Sequence, residues 1–268
     1  MNILVTLNSN YIKPLKIMLK SLFINNQEES FSIYLIHSSI KDEELDDLNS
    51  YIRLHGSQLI VITIDDSYFE NAPVVLHYTK EMYYRLLAFK FLPQNLDKIL
   101  YLDPDILVIN PIRDLYYMDI KGFLYAAAYH DVISIKEINR LRLNPYEIDA
   151  YYNSGVLLMN LELQRQLVDE QSIYKFAEKN KSKLIMPDQD ILNALYSKKI
   201  KSLDEKLYNY DARYYTYYKI RSNRVWDMDH VIRNTVILHF CGKKKPWKRN
   251  YSGKFHSLYK HYEKLALS

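Results

Sequence analysis

This 268-residue sequence predicts an α/β domain built on a mostly parallel sheet covered by helices. Three observations predict it. Short apolar runs of strand length alternate with segments of helical periodicity from the first residues onward. Hydrophobic residues make up 48% and charged residues 25%, the balance of a globular chain with a sizeable core. With only 5 Gly and 8 Pro, the chain has no linker-rich or low-complexity stretch, and no internal repeat is visible.

The elements follow in order. NILVTL (2–7) reads as a short buried strand ending at the polar turn Asn8-Ser9-Asn10, after which Leu15, Met18, Leu19, Leu22 and Phe23 recur at helical spacing. FSIYLIH (31–37) is a second strand, residues 42–56 a polar helix stopped near Gly56, and QLIVITI (58–64) a third strand. Residues 78–93 form a helix that enters the strand KILYLD (98–103), followed by DILVIN (105–110) and the strand GFLYAAAY (122–129). Residues 130–150 lack clear periodicity and read as a functional loop with a helical piece. SGVLLMNL (154–161) is a buried strand, 162–180 a helix, MPDQDILNALY (186–196) a turn opening a helix, and TVILHF (235–240) the last core strand. The economical division is one domain, 1–248, with a basic aromatic tail, 249–268, in which Phe255, Leu258, Tyr259 and Tyr262 share one side of a helix.

Composition narrows the setting. A single cysteine, Cys241, excludes an intramolecular disulfide and points to a reducing compartment. The N-terminus has no basic region before its short apolar run, so no signal peptide is expected. Nor does any run approach the roughly 18 apolar residues of a membrane span, so the expectation is a soluble cytoplasmic protein. From Phe240 onward eight Lys and Arg face one acid, a net +7, which leaves −3 for the body. Such a tail suits an anionic ligand or surface, and equally a solvated terminal helix. The 26 tyrosines read as compositional bias before they read as a sugar-stacking surface. No nucleic-acid-binding module motif appears.

The chemistry concentrates in ILYLDPDILVIN (99–110), where Asp103 and Asp105 interrupt an apolar run. In an extended segment residues i and i+2 point to one side, so the two carboxylates converge and repel unless a cation neutralises them. Carboxylate oxygens suit Mg²⁺ or Mn²⁺, held by two protein groups plus substrate phosphates. A surface turn is the competing reading of so short a motif. In open α/β sheets ligands bind beyond the carboxyl ends of the strands. Asn8, Asp103 and His239 all fall at or near such ends.

Four further stretches, EMYYRLLAF, YYNSGVLLMNL, MPDQDILN and LHFCGKKKPW, accompany the D-x-D in this order, with TLNSNY near the start. Together they make residues 2–248 resemble the retaining glycosyltransferases of family 8. That family includes lipopolysaccharide α-galactosyltransferases, bacterial stress-protein homologues and glycogenins. The resemblance implies a GT-A fold and a hexosyltransferase using UDP-glucose or UDP-galactose, Mn²⁺ (or Mg²⁺), and a saccharide or glycoconjugate acceptor. It implies that Asp103, Asp105 and His239 hold the metal and that Lys245 meets the diphosphate, with Gly242 allowing close backbone approach. Asn8 and Asn10 would bond uracil or ribose and Tyr11 would stack on the base, although Asn8 and Ser9 also suit a helix cap. Arg85, Asn153, Asp188 and Gln189 would contact the donor sugar, with Asp131 lining its pocket. Pro104, where the family often has another small residue, removes any donor contact from that amide. Asp190 reads as a helix N-terminal residue favoured by the dipole.

Because the residue expected beneath the anomeric carbon is an amide, Gln189, a double displacement through a carboxylate is disfavoured against front-face transfer. A sugar-nucleotide nucleotidyltransferase is the alternative enzyme, but the N-terminal loop lacks its glycine- and lysine-rich phosphate cradle. A non-catalytic nucleotide-sugar binder would show a disrupted site. In lipopolysaccharide-type relatives such a basic aromatic tail implies peripheral attachment to the inner face of the cell membrane, with packing onto the body or a partner subunit the equal alternative. Residues 130–150 and 208–226 would form the acceptor wall.

Overall fold

The first three strands and the helices between them form as their patterns require. The structure, a computed structural model, describes residues 1–268 apart from 74–81, 130–132, 145, 147 and 149, and apart from the side chains of 66, 133–136 and 140. Strands β1 (Asn2–Thr6), β2 (Ser32–His37) and β3 (Gln58–Thr63) pair in parallel, linked by α1 (Ile12–Ile24) and α2 (Asp42–Arg53). Pro14 falls in the first turn of α1, where a missing N–H removes no helical bond. Helix α2 opens with Asp42, Glu43 and Glu44, ends with Arg53, and stops before Gly56 at φ +68°.

Where residues 78–93 predict one helix, the described part holds two short ones, α3 (Met82–Leu86) and α4 (Ala88–Phe91), parted at Leu87. They lead to β4 (Lys98–Leu102), β5 (Ile106–Val108), α5 (Arg113–Tyr116), β6 (Tyr125–Ala128), α6 (Ile133–Arg142) and β7 (Val156–Asn160). The helix expected over 162–180 is also two, α7 (Leu161–Leu167) and α8 (Glu170–Asn180). Asn160 caps the first by accepting from Leu163 N, and Asp169 caps the second by accepting from Gln171 N and Ser172 N. Capping chemistry outweighs continuous periodicity here. After α9 (Pro187–Tyr196) comes β8 (Ile200–Leu203), which no sequence pattern announced. Then follow α10 (Glu205–Tyr208), β9 (Tyr210–Asp211), α11 (Tyr215–Arg221), α12 (Met228–Asn234), β10 (Ile237–His239) and α13 (His256–Leu267).

Among the described residues seven strands make the large sheet, in the order β3-β2-β1-β4-β7-β6-β8. Only β7 runs antiparallel to its neighbours, so the sheet is mostly parallel as expected. Side chains alternate between two cores: Ile99, Tyr101, Leu157 and Met159 pack on one face, and Leu100, Leu102, Val156 and Leu158 on the other. The segment 235–240, expected as the last core strand, lies with 105–110 in a second sheet ordered β5-β10-β9.

That small sheet is covered by the C-terminal helix. Phe255, Tyr259, Tyr262 and Ala266 are buried in one cluster with Ile17, Leu107, Leu238 and Phe240, and Asn25 Nδ2 donates to the Tyr262 hydroxyl at 2.9 Å. The aromatic side of the tail therefore faces the protein, and its lysines Lys254, Lys260 and Lys264 face solvent. No helix among the described residues is long and apolar enough to cross a membrane. Phe255, only 1% exposed, packs edge-on against Tyr210 and Tyr215. Phe255→Ala is expected to lower stability by about 3–5 kcal/mol, read as a fall in the urea midpoint at unchanged slope.

Candidate active site

One open cleft of about 320 Å³ lies at the carboxyl ends of β1 and β4. Eight residues singled out from the sequence line it: Asn8, Tyr11, Arg85, Asp103, Pro104, Asp105, Asp188 and Lys245. Thr6, Leu7 and Met82 complete the wall. Asn8 also accepts from Asn10 N at 3.1 Å, so it caps the turn and faces the cleft together. Asn10 itself stays exposed, outside the lining. Tyr11 meets Trp247 edge-on, with centroids 6.0 Å apart. Asp131 lies outside the described residues.

Asp103 and Asp105 do converge, but not along one extended segment. Strand β4 ends at Leu102, the chain turns through Pro104, and β5 begins at Ile106 in the other sheet. Pro104 is buried at that corner, where its lack of an N–H leaves no buried donor to satisfy. Strand β5 pairs antiparallel with β10 so that Ile106 opposes His239, and Phe240 N donates to the Asp105 carbonyl at 3.0 Å. This register sets His239 Nε2 3.3 Å from Asp105 Oδ1. On its other side His239 Nδ1 bonds Asn209 Oδ1 at 2.8 Å, which fixes the ring plane.

Glycine at 155 makes the convergence sterically feasible. Its carbonyl accepts from Asp103 N at 2.8 Å, and a Cβ there would lie 2.4 Å from His239 Cε1 and 2.7 Å from Asp103 Oδ2. One ligand atom each from Asp103, Asp105 and His239 lies within 4.8 Å of the others. Two hard carboxylates and one imidazole at that separation fit a divalent cation such as Mg²⁺ or Mn²⁺.

Each carboxylate of the cleft has a cationic partner. Lys245 Nζ forms an ion pair with Asp105 and donates to the Phe240 carbonyl at 3.0 Å. Burial alone would raise the Asp105 carboxyl, but His239 and Lys245 outweigh it and hold it well below the usual range. Burial likewise lowers His239, yet Cys241 and Asp105 overcome it and raise the imidazole well above its ordinary value. Arg85 bridges the other two acids, Nη2 to Asp103 at 3.1 Å and Nη1 to Asp188 at 3.2 Å, over the Tyr101 ring. Its Nη1 also reaches the Ser154 carbonyl at 3.1 Å. Tyr101 donates its hydroxyl to Asp103 at 2.5 Å.

Behind Asp188 stands the first turn of α9. Ser154 Oγ donates to Asp188 at 3.0 Å, while Gln189 Oε1 accepts from Ser154 N at 3.3 Å and from Asn153 Nδ2 at 3.4 Å. Asp190, expected only as a dipole-favoured residue, is fully buried and accepts five bonds. They come from Arg142 Nη1 and Nη2 at 2.7 and 2.5 Å, the Tyr151 hydroxyl at 2.5 Å, and the amides of Ile185 and Met186 at 2.8 and 3.1 Å. This knot ties α6 to the start of α9. Sequence reasoning missed Arg142, Asn209 and Tyr101, whose partners are set by the fold. Gly242, at φ +85°, turns the chain between His239 and Lys245 and lies outside the cleft lining.

Fold and cleft together define a GT-A glycosyltransferase. The structure superposes on the galactosyltransferase LgtC, solved with donor and acceptor sugar analogues, with a TM-score of 0.82 at 21% identity over 100% of this chain and 97% of that one. Residues 2–251 match the family model "Glycosyl transferase family 8", and the chain belongs to that family. It is 27% identical over 271 residues to general stress protein A of Bacillus subtilis (strain 168), covering 98% of this chain and 92% of that protein. It is 25% identical over 266 residues to the lipopolysaccharide 1,2-glucosyltransferase of Escherichia coli (strain K12), covering 93% and 73%. The expected hexosyltransferase class is that of the lipopolysaccharide 1,2-glucosyltransferase and of the galactosyltransferase LgtC.

Arg142→Ala would leave the Asp190 carboxylate buried without its counter-charge. A loss of about 3–5 kcal/mol is expected, measured by denaturant unfolding.

Proposed function

We propose that this protein transfers glucose or galactose from a UDP-sugar to a hydroxyl of a saccharide or glycoconjugate acceptor, with retention at the anomeric carbon. The observation that carries this reading is the convergence of Asp103 and Asp105, with the buried His239 against them, at a cleft that also holds Arg85, Asp188 and Lys245. Membership of family 8 supports it, as do relatives named for glucosyl and galactosyl transfer. Bound there, Mn²⁺ (or Mg²⁺) would neutralise charge on the donor diphosphate and favour its departure.

The chain's own residues then divide the work. Asn8 and Asn10 bond the uracil or ribose and Tyr11 packs on the base, at the mouth of β1. Lys245, already drawn into the cleft by Asp105, is the ammonium that meets the diphosphate, and Gly242 lets the following backbone come close. Arg85, Asn153 and Asp188 orient the sugar hydroxyls, with Asp131 beside them. Gln189 stands beneath the anomeric carbon and stabilises its developing positive charge with its amide oxygen.

Retention proceeds on one face of the sugar. The bond from C1 to the diphosphate oxygen breaks, the acceptor oxygen bonds C1 from the same side, and the acceptor proton passes to the departing diphosphate. Two facts favour this over a covalent intermediate. Asp190 is saturated by five hydrogen bonds, and Asp188 is held by Arg85 and Ser154. Neither carboxylate is free to act as a nucleophile.

The test is Mn²⁺-dependent release of UDP across a panel of UDP-sugars. Asp103→Asn and Asp105→Asn should each reduce it by roughly a hundredfold or more, since each removes a metal ligand. Wild-type turnover by Asp103→Asn at limiting Mn²⁺ would overturn the metal assignment, and pyrophosphate as product would indicate nucleotidyl transfer instead.

The same reading places residues 1–248 as the transferase unit, working on the cytoplasmic side with residues 249–268 towards the membrane. With its aromatic side buried, the tail would touch anionic lipid through Arg249, Lys254, Lys260 and Lys264. Sedimentation with phosphatidylserine liposomes should therefore be weak and abolished by salt. Salt-resistant binding would point to inserted aromatic side chains and contradict this arrangement.

A further inference from the structure

Arg213, which no motif marks, has a fixed place beside the proposed donor site. Strand β9 runs parallel to β10 with Asp211 opposite His239, so the chain leaving β9 arrives at the same end as Cys241 and Gly242. Asp211 is fully buried and holds Arg213 firmly: it accepts from Arg213 N at 2.9 Å, from Nε at 3.0 and 3.1 Å, and from Nη2 at 2.6 Å. The third nitrogen, Nη1, makes none of these bonds and points along Gly242, where an added Cβ would stand 2.7 Å from it. The guanidinium lies 5.4 Å from the Tyr214 ring, and the side chain is 47% exposed.

The buried carboxylate thus holds the Nε and Nη2 edge, and the half-exposed Nη1 end lies beside Gly242. Lys243 and Lys244, next in the chain after Gly242, are exposed, and they add two more charges of the same sign. Arg213 does not line the cleft that holds Asn8, Tyr11, Asp105 and Lys245, and it stands against Gly242 beside that cleft's Lys245 segment. A guanidinium fixed by a buried carboxylate, with one edge open, is pre-organised for the oxygens of a phosphate or carboxylate.

We propose that Arg213, assisted by Lys243 and Lys244, binds an anionic group of the acceptor, so that the acceptor class is a phosphorylated or uronic-acid-bearing glycan. This rests on the transferase reading above. Lys245 serves the donor, and Arg213 selects what is glycosylated.

The test is calorimetric titration of the full chain, with and without UDP and Mn²⁺, using glucose 6-phosphate, glucuronate and glucose as probes. Wild type should bind the anionic sugars roughly tenfold tighter than glucose, the worth of one charge-assisted contact. Phosphate and uronate arms distinguish the two sources of charge. Arg213→Gln should remove that preference while UDP affinity stays within about twofold, well under the tenfold step that one contact carries. Because Arg213→Gln strands the buried Asp211 charge, the double variant Arg213→Gln/Asp211→Asn, which removes both charges, serves as the folded second variant and should behave alike. The proposal fails if wild type shows no preference, if either variant keeps it, or if UDP affinity falls in step, which would assign Arg213 to the diphosphate. Absence of UDP binding by wild type would instead count against the transferase reading, with the UDP-free arm still reporting on Arg213.

Discussion

The antiparallel pairing of β5 with β10 is the constraint on which the cleft depends. Ile106 opposite His239, and the bond from Phe240 N to the Asp105 carbonyl, bring the chain's late histidine to its early aspartate. Side chains alternate along a strand, so a slip of one residue in this register would turn His239 to the opposite face. The cluster of Phe240, Phe255 and Tyr259 secures that small sheet from outside. Packing at the C-terminus and chemistry at the carboxyl end of β4 are therefore one problem, solved by the same few backbone bonds.

Charge explains the rest of the arrangement. Asp103, Asp105 and Asp188 share one cleft, and carboxylates so close would repel without compensation. Arg85 and Lys245 are interleaved with them, each bridging to a carboxylate and also bonded to a backbone carbonyl. The cations are thus positioned by the fold as well as by the acids. Asp190, adjacent to Asp188 and Gln189 in sequence, is removed from this society and spent on anchoring α9 through Arg142 and Tyr151. Neighbouring acids on one helical turn have unrelated roles because one faces the cleft and the other faces Arg142.

Much of this could be read from the sequence. Strands with buried runs, such as 2–6, 32–37, 98–102 and 156–160, follow from local pattern, and the D-x-D and H-x-x-G-x-x-K spacings picked out residues that do come together. The reason offered for the convergence of Asp103 and Asp105 was incomplete, because they flank a turn between two sheets and do not sit on one strand. Short strands such as β8 and β9 carry too few residues for a period to show. Asn209, Arg142 and Arg213 were illegible for a different reason: an asparagine or arginine has no role until the fold supplies His239, Asp190 or Gly242 beside it. Helix breaks at 87 and 168 were missed where local caps and turns override a continuous apolar stripe.

The order of these residues along the chain has a consequence for biosynthesis. A ribosome makes Asp103, Pro104 and Asp105 long before it makes His239 and Lys245, the groups that hold the buried Asp105 carboxylate ionised. A nascent chain that has folded β1 through β7 therefore carries Asp105 without His239 and Lys245, and its small sheet has only one strand. The cage closes last, when β10 pairs and the terminal helix docks over it. A product of translation interrupted before β10 therefore has Asp105 but neither His239 nor Lys245 to hold it.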